Sequence, residues 1–161
     1  MSKQRKKIRQ AVKALLLDNT PAGQRVWVNR PNPLSQRAHQ ESPGSQLPAI
    51  LIYTRSEDSE IFNESPRQYR RTVELVVEVA VAMTDAVDDT IDDIADTIEG
   101  LILLDDRLGI DPDDTTKYVA DNTELQRSQL TIVDDGEIPI GAAILTFAVE
   151  YFTYHPGDMQ P

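Results

Sequence analysis

Cysteine is absent from the 161-residue chain, which excludes a disulfide framework, a zinc–thiolate centre and a cysteine nucleophile. Histidine occurs only as His39 and His155, too few to assemble a histidine-built metal site. Basic residues are outnumbered, 16 against 27 acidic ones, for a formal net charge of −11. That balance argues against a sequence-general nucleic-acid binder, which needs positive surface to neutralise phosphates. No apolar run approaches the roughly 18 residues of a membrane span. The start of the chain is basic, but Lys13 and Asp18 interrupt the apolar stretch behind it, so it does not read as a secretory signal. What is present, 40% hydrophobic and 27% charged residues, is a globular composition. One core suffices at this length, with roughly two-thirds of the unfolded surface buried on folding. The expectation is a soluble, intracellular, acidic single domain over residues 1–161.

Ile8, Val12, Leu15 and Leu16 recur at helical spacing and predict an opening helix, stopped by Asn19-Thr20-Pro21-Ala22-Gly23. Its basic residues, Lys3, Arg5, Lys6, Lys7, Arg9 and Lys13, form either a solvated face or an arm toward an acidic partner. Val26-Trp27-Val28 is a short strand candidate. Pro31 to Gln46 holds three prolines and almost nothing apolar and is expected to be a flexible loop, either with an interaction role or disordered. Leu47 to Tyr53 reads as a buried strand, and Thr54 to Gln68 as a polar connection to a long second strand, an extended hairpin. In that second strand Tyr69, Arg71, Val73, Leu75, Val77, Val79 and Val81 share one face. Arg70, Thr72, Glu74, Val76, Glu78 and Ala80 share the other, the alternation of a sheet with one wet side.

Val87, Ile91, Ile94, Ala95, Ile98, Leu101 and Ile102 make an apolar helical stripe. The opposite side carries Asp88, Asp89, Asp92, Asp93, Asp96 and Glu99 and no cation. Asp105 to Thr116 is expected to be an acidic loop. Leu125 to Val133 is the next strand, Asp134 to Glu137 a turn, Ile140 to Tyr154 a central strand, and 155–161 a loose tail. The order predicts an α+β fold: a mostly antiparallel mixed sheet, two helices packed on one face and a long β-hairpin extension.

The one pattern with a catalytic look is D-D-x-x-D, spelled by Asp88-Asp89-Thr90-Ile91-Asp92 and again from Asp92 to Asp96. Carboxylates four apart on a helix can hold magnesium against a diphosphate. The prenyl-transferring enzymes that do so are large all-helical bundles with the motif on two facing helices. One helix beside a strand-rich remainder does not match them. A P-loop, G-x-G-x-x-G, G-x-S-x-G and H-E-x-x-H are all missing. Asp111-Pro112-Asp113-Asp114 and Asp134-Asp135-Gly136-Glu137 do not fit a calcium loop of EF-hand type. The expectation is no enzyme, no cofactor and no metal.

Taken in order, these elements resemble the tail terminator proteins of long-tailed bacteriophages. The likeness is carried by the helix Ile8 to Leu16, the strand Val26-Trp27-Val28, and the strand opening Leu47-Pro48-Ala49-Ile50-Leu51-Ile52-Tyr53. It continues through the valine–glutamate strand Thr72 to Val79, the acidic helix, and the aromatic-ended strand Phe147 to Tyr151. The resemblance implies a structural virion protein at the head–tail junction, a hexameric ring that caps the tail tube, ends its polymerisation and meets the head connector. DNA would pass through without specific binding, and no membrane is involved. A neck or tail-tube component is the alternative, and a small metal- or partner-binding module a more distant one. Arg67, Arg70, Arg71, Glu74 and Glu78 are the expected subunit interface. Asp88, Asp89, Asp92, Asp93, Asp96 and Glu99 are either a solvated stripe or a face toward the DNA channel or a basic partner.

Overall fold

Helix α1 spans Lys3–Leu16 and buries Ile8, Val12 and Leu16, with Ala11 and Leu15 packed beside them. It ends where the backbone turns left-handed, at Asp18 (φ +60°), and the turn closes at Gly23 (φ +59°). The Asn19 side-chain amide donates to the Leu15 carbonyl at 2.9 Å, satisfying one of the acceptors that a helix end leaves open. The computed structural model describes residues 3–28, 47–82, 85–133 and 140–154. The expected loop 31–46, the turn at Asp134 to Glu137, the tail 155–161 and both histidines lie outside the described residues.

Five strands form one sheet in the order β1-β2-β3-β7-β6: β1 (Val26–Val28), β2 (Ala49–Glu64), β3 (Arg67–Ala82), β6 (Asn122–Val133) and β7 (Ile140–Tyr154). β1 runs parallel to β2, and every other neighbouring pair is antiparallel. Helix α2 (Val87–Leu104) and α1 lie over the same face. Between helices and sheet sits one apolar core: Ile8, Val12 and Leu16 from α1, Val73 to Val81 at alternate positions of β3, and Leu145, Phe147 and Val149 of β7. From α2 it takes Ile91, Ile94, Ala95, Ile98 and Ile102. Burying the four isoleucines is worth roughly 1.5–3 kcal/mol each. Like-charge pairs on the outer side of α2 oppose this by roughly 1–2 kcal/mol in total, so packing decides the helix. The fold is the expected α+β arrangement.

Three details differ from expectation. The polar stretch after Tyr53 is not a connection but strand: β2 runs on to Glu64, and only Ser65-Pro66 turn the chain into β3. Both sides of that arm are largely exposed, so neither selects apolar residues and no alternation appears. Within the expected acidic loop, Ile110–Asp111 (β4) pairs with Asp114–Tyr118 (β5) as a small separate hairpin. Lastly, the outer face of the sheet is not uniformly wet. Ala49, Leu51, Ala80 and Ile140 are buried there, with Trp27, Leu47 and Tyr53 against them, and Val76, Ala142 and Thr146 are buried as well.

Candidate interaction surfaces

Beyond the last core residues of β3 and β7, Val73 and Tyr151, the sheet continues as an arm made of β2, β3 and the end of β7. Because strand side chains alternate, Arg70 and Arg71 leave it on opposite sides. Arg71 shares the helix side with Val73. Its Nε donates to Thr153 Oγ1 at 2.8 Å, and its Nη1 lies 3.6 Å from Glu57 Oε2. The Tyr151 hydroxyl donates to the other oxygen of Glu57. On the outer side Arg70 pairs with Glu60, approaches Glu150 at 3.9 Å, and stands over the Phe62 ring at 5.9 Å. Phe62 meets Phe152 edge-on, with centroids 4.9 Å apart. At the tip Arg67 Nη2 lies 3.9 Å from Glu64.

Glu74 accepts from Ser56 at 3.0 Å and lies 3.4 Å from Arg55 Nε. Glu78 is different. It stands between Leu51 and Ile144 in the register, and burial pushes its carboxyl above the ordinary carboxylate range. Burial, followed by the Glu78 charge, also raises the Tyr53 hydroxyl. The five expected interface residues therefore do not form one face. Arg70 and Glu74 share the outer side, Glu78 is sunk into its apolar end, Arg71 faces the helix side, and Arg67 sits at the tip. Arg70 and Arg71 also have ion-pair partners within their own chain, which the alternation pattern alone could not reveal.

On α2 the acidic stripe is as expected. Asp88, Asp89, Asp92, Asp93 and Asp96 are exposed and Glu99 half-buried. Among the described residues no cation pairs with any of them. Asp88 and Asp89 lie in the first turn, where the helix dipole favours negative charge; the later four have no such compensation.

A cluster that sequence reasoning missed joins α1 to the β4–β5 hairpin. Lys7 Nζ lies 2.8 and 2.9 Å from the two oxygens of Asp111 and 3.1 Å from Asp113. Asp111 is buried and also accepts the Asp113 N–H at 2.8 Å. Burial opposes the Asp111 charge, but the Lys7 hydrogen bond and the Asp113 N–H outweigh it and hold the carboxyl below its usual range. The Asp111 hydrogen bond raises the Lys7 ammonium in turn. The only advance sign was a lysine flanking the apolar stripe of α1, which says nothing about a carboxylate 104 positions away. Beside the cluster lies a groove of about 690 Å³, floored by Ala11, Ala14, Leu15, Leu108 and Ile110 and edged by Lys3 and Lys6.

Among the described residues, no group of three or more histidine, cysteine, aspartate or glutamate side chains is placed to hold a metal ion. No described helix is long and apolar enough to cross a membrane. No protein-family model matches the chain, and no curated protein matches it. The arrangement is one of surfaces: a charged and aromatic arm, an unpaired acidic stripe and a lysine-edged groove.

Proposed function

We propose that the protein is a structural subunit of a phage tail, a tail terminator that forms a ring on the finished tube. In that role it stops polymerisation and presents a surface to the head connector, in the virion at the head–tail junction. The observation that carries this reading is the arm. Strands β2 and β3 run on well past the residues the core needs, ending in exposed Ile61 and Phe62 among paired charges. A free-standing domain gains little from such an extension, whereas a subunit that must reach its neighbour requires one. The element order and the single helix layer fit the same layout. The unpaired carboxylates of α2 suit a wall along which DNA slides without adhering, since like charge repels the phosphates. The role is structural rather than catalytic, with no cofactor.

Negative-stain electron microscopy and light scattering of the purified protein test this directly. Closed rings with a sixfold subunit mass, which cap purified tail tube and halt its growth, are the expected outcome. Spontaneous growth into tubes would instead identify a tube component, and a monomer with no affinity for tube protein would defeat both readings.

A further inference from the structure

Among the described residues the sheet has two open edges. β1 covers β2 only at Ile50, Leu51 and Ile52, so among the described residues the outer edge of β2 from Thr54 to Glu64 has no strand beside it. β6 is the last described strand on the opposite side, and among the described residues its outer edge has no strand beside it along Asn122–Val133. The two free stretches are nearly equal in length. Open edges are sites of further strand pairing unless charge, proline or a cover blocks them. β6 carries only Glu124 and Arg127 as charges and no proline, and it exposes Leu130 and Ile132 to 54% and 61%.

We propose that β6 of one subunit pairs antiparallel with the Thr54–Glu64 arm of β2 from a second copy, so that the sheet runs on across the subunit boundary. Three features select this occupant. First, β2 and β6 are separated by three antiparallel steps and so point in opposite directions. Through Leu145 and Val77, Ser128 is level with Ile52 rather than with the arm, so a second copy added in the same orientation and displaced along the strands brings its β2 arm antiparallel to β6, a staggered head-to-tail contact of the kind that can close a ring. Second, the β2 arm carries Glu57, Asp58, Glu60 and Glu64 against a single Arg55. Glu57, Glu60 and Glu64 already stand beside Arg71, Arg70 and Arg67, so pairing two such arms sets chiefly Asp58 against its like, whereas β6, with Glu124 and Arg127, has no net charge to oppose it. Third, pairing β6 with β6 would satisfy one edge per copy and leave both β2 arms open, while the head-to-tail contact uses both edges of every copy. The inference rests on the ring reading for closure and specifies the contact that builds it.

The absence of native cysteine makes the test clean. Ser59 and Ser128 are exposed on the helix side of the two edges. Ser59→Cys and Ser128→Cys are purified separately, mixed, and treated with a short bismaleimide, whose reach tolerates a slip of a residue or two. A covalent dimer in the mixture and in neither variant alone is expected. A dimer from Ser128→Cys alone means β6–β6 pairing and overturns the proposal, as does a dimer from Ser59→Cys alone. Rings by light scattering without any cross-link overturn the edge pairing but leave the ring standing, whereas a monomeric wild type overturns both. Independently, Leu130→Lys with Ile132→Lys should abolish assembly with an unchanged far-ultraviolet circular dichroism spectrum. Rings persisting in that variant would refute the contact.

Discussion

Gly141 is the position where one added methyl group should be felt most. It lies in β7 between Val81 of β3 and Ile132 of β6, beneath the first turn of α2. A Cβ built there stands 2.6 Å from Val87 Cγ2, 2.9 Å from Ile91 Cδ1 and 3.3 Å from Val81 Cγ2. Carbon atoms pack best at about 3.5–4.0 Å, so roughly 1 Å of clearance is missing. The Ile91 terminus can swing aside, but Val87 Cγ2 sits one bond from Cβ, so relief there needs either a change of χ1 at this first helical residue or a lift of the first turn of α2. Overpacking of this kind costs about 1–3 kcal/mol. Replacing a strand glycine returns up to about 1 kcal/mol through the unfolded chain. The net expectation for Gly141→Ala is a loss of about 1–2 kcal/mol, or a Tm lower by about 2–8 °C in a chain of this size. Thermal melts at one fixed protein concentration measure it, since assembly would otherwise shift the midpoint. Val87→Ala in the Gly141→Ala background should recover part of the loss, with a coupling of at least about 0.5 kcal/mol. A Gly141→Ala variant as stable as wild type, or strict additivity with Val87→Ala, would refute the argument.

Asp111→Asn should cost about 1–3 kcal/mol, less than the roughly 3–5 kcal/mol for an isolated buried charge because Asp113 stays 3.1 Å from Lys7. The depressed Asp111 carboxyl adds stability above its ordinary value of 3.8 that is lost as pH falls through the folded pKa. The raised Lys7 adds stability below 10.5 that is lost as pH rises through its folded pKa. Urea midpoints of wild type and variant should therefore differ most near neutrality and converge in acid. Glu78→Gln should act with the opposite sign. A carboxyl raised by burial penalises the fold above its unfolded value of 4.5, so the variant should be more stable at pH 7 and lose that advantage below about pH 4, read from Tm across pH. Asp93→Asn with Asp96→Asn removes the like-charge pairs with Asp89 and Asp92 and should stabilise the fold by roughly 0.4–1 kcal/mol. Normal particle yield in a complementation assay from that stabilised variant would show the stripe to be merely solvated, whereas reduced yield would assign it a role.

The core was largely legible in the sequence because each element buries one side. The alternation from Val73 to Val81 and the stripe from Ile91 to Ile102 are direct imprints of a sheet with helices on one face. The elements that were misread bury little. The outer half of β2 and the β4–β5 hairpin are strands held by backbone pairing, with side chains largely exposed on both sides, so hydrophobic periodicity does not mark them. Hydrophobic alternation also gave no warning that Glu78 lies between Leu51 and Ile144, since a single glutamate on the outer side of a strand reads as solvated. The ion pairs of Arg70, Arg71 and Lys7 depend on which strands become neighbours, information that composition and spacing do not carry.

The position of β7 has a consequence for how the protein is made. It follows every other described strand yet fills the interior of the sheet, between β3 and β6. Synthesis adds about 5–20 residues per second, and throughout that time the inner edges of β3 and β6 have no partner. The hairpin of β2 and β3 can form early, but the part of the core supplied by Leu145, Phe147 and Val149 arrives only with β7. Until then β6 is not anchored, and neither of the surfaces through which copies would join is presented in its final geometry. A chain cut short before β7 would thus leave the valine stripe of β3 exposed, and the proposed assembly would be open only to chains that have received β7.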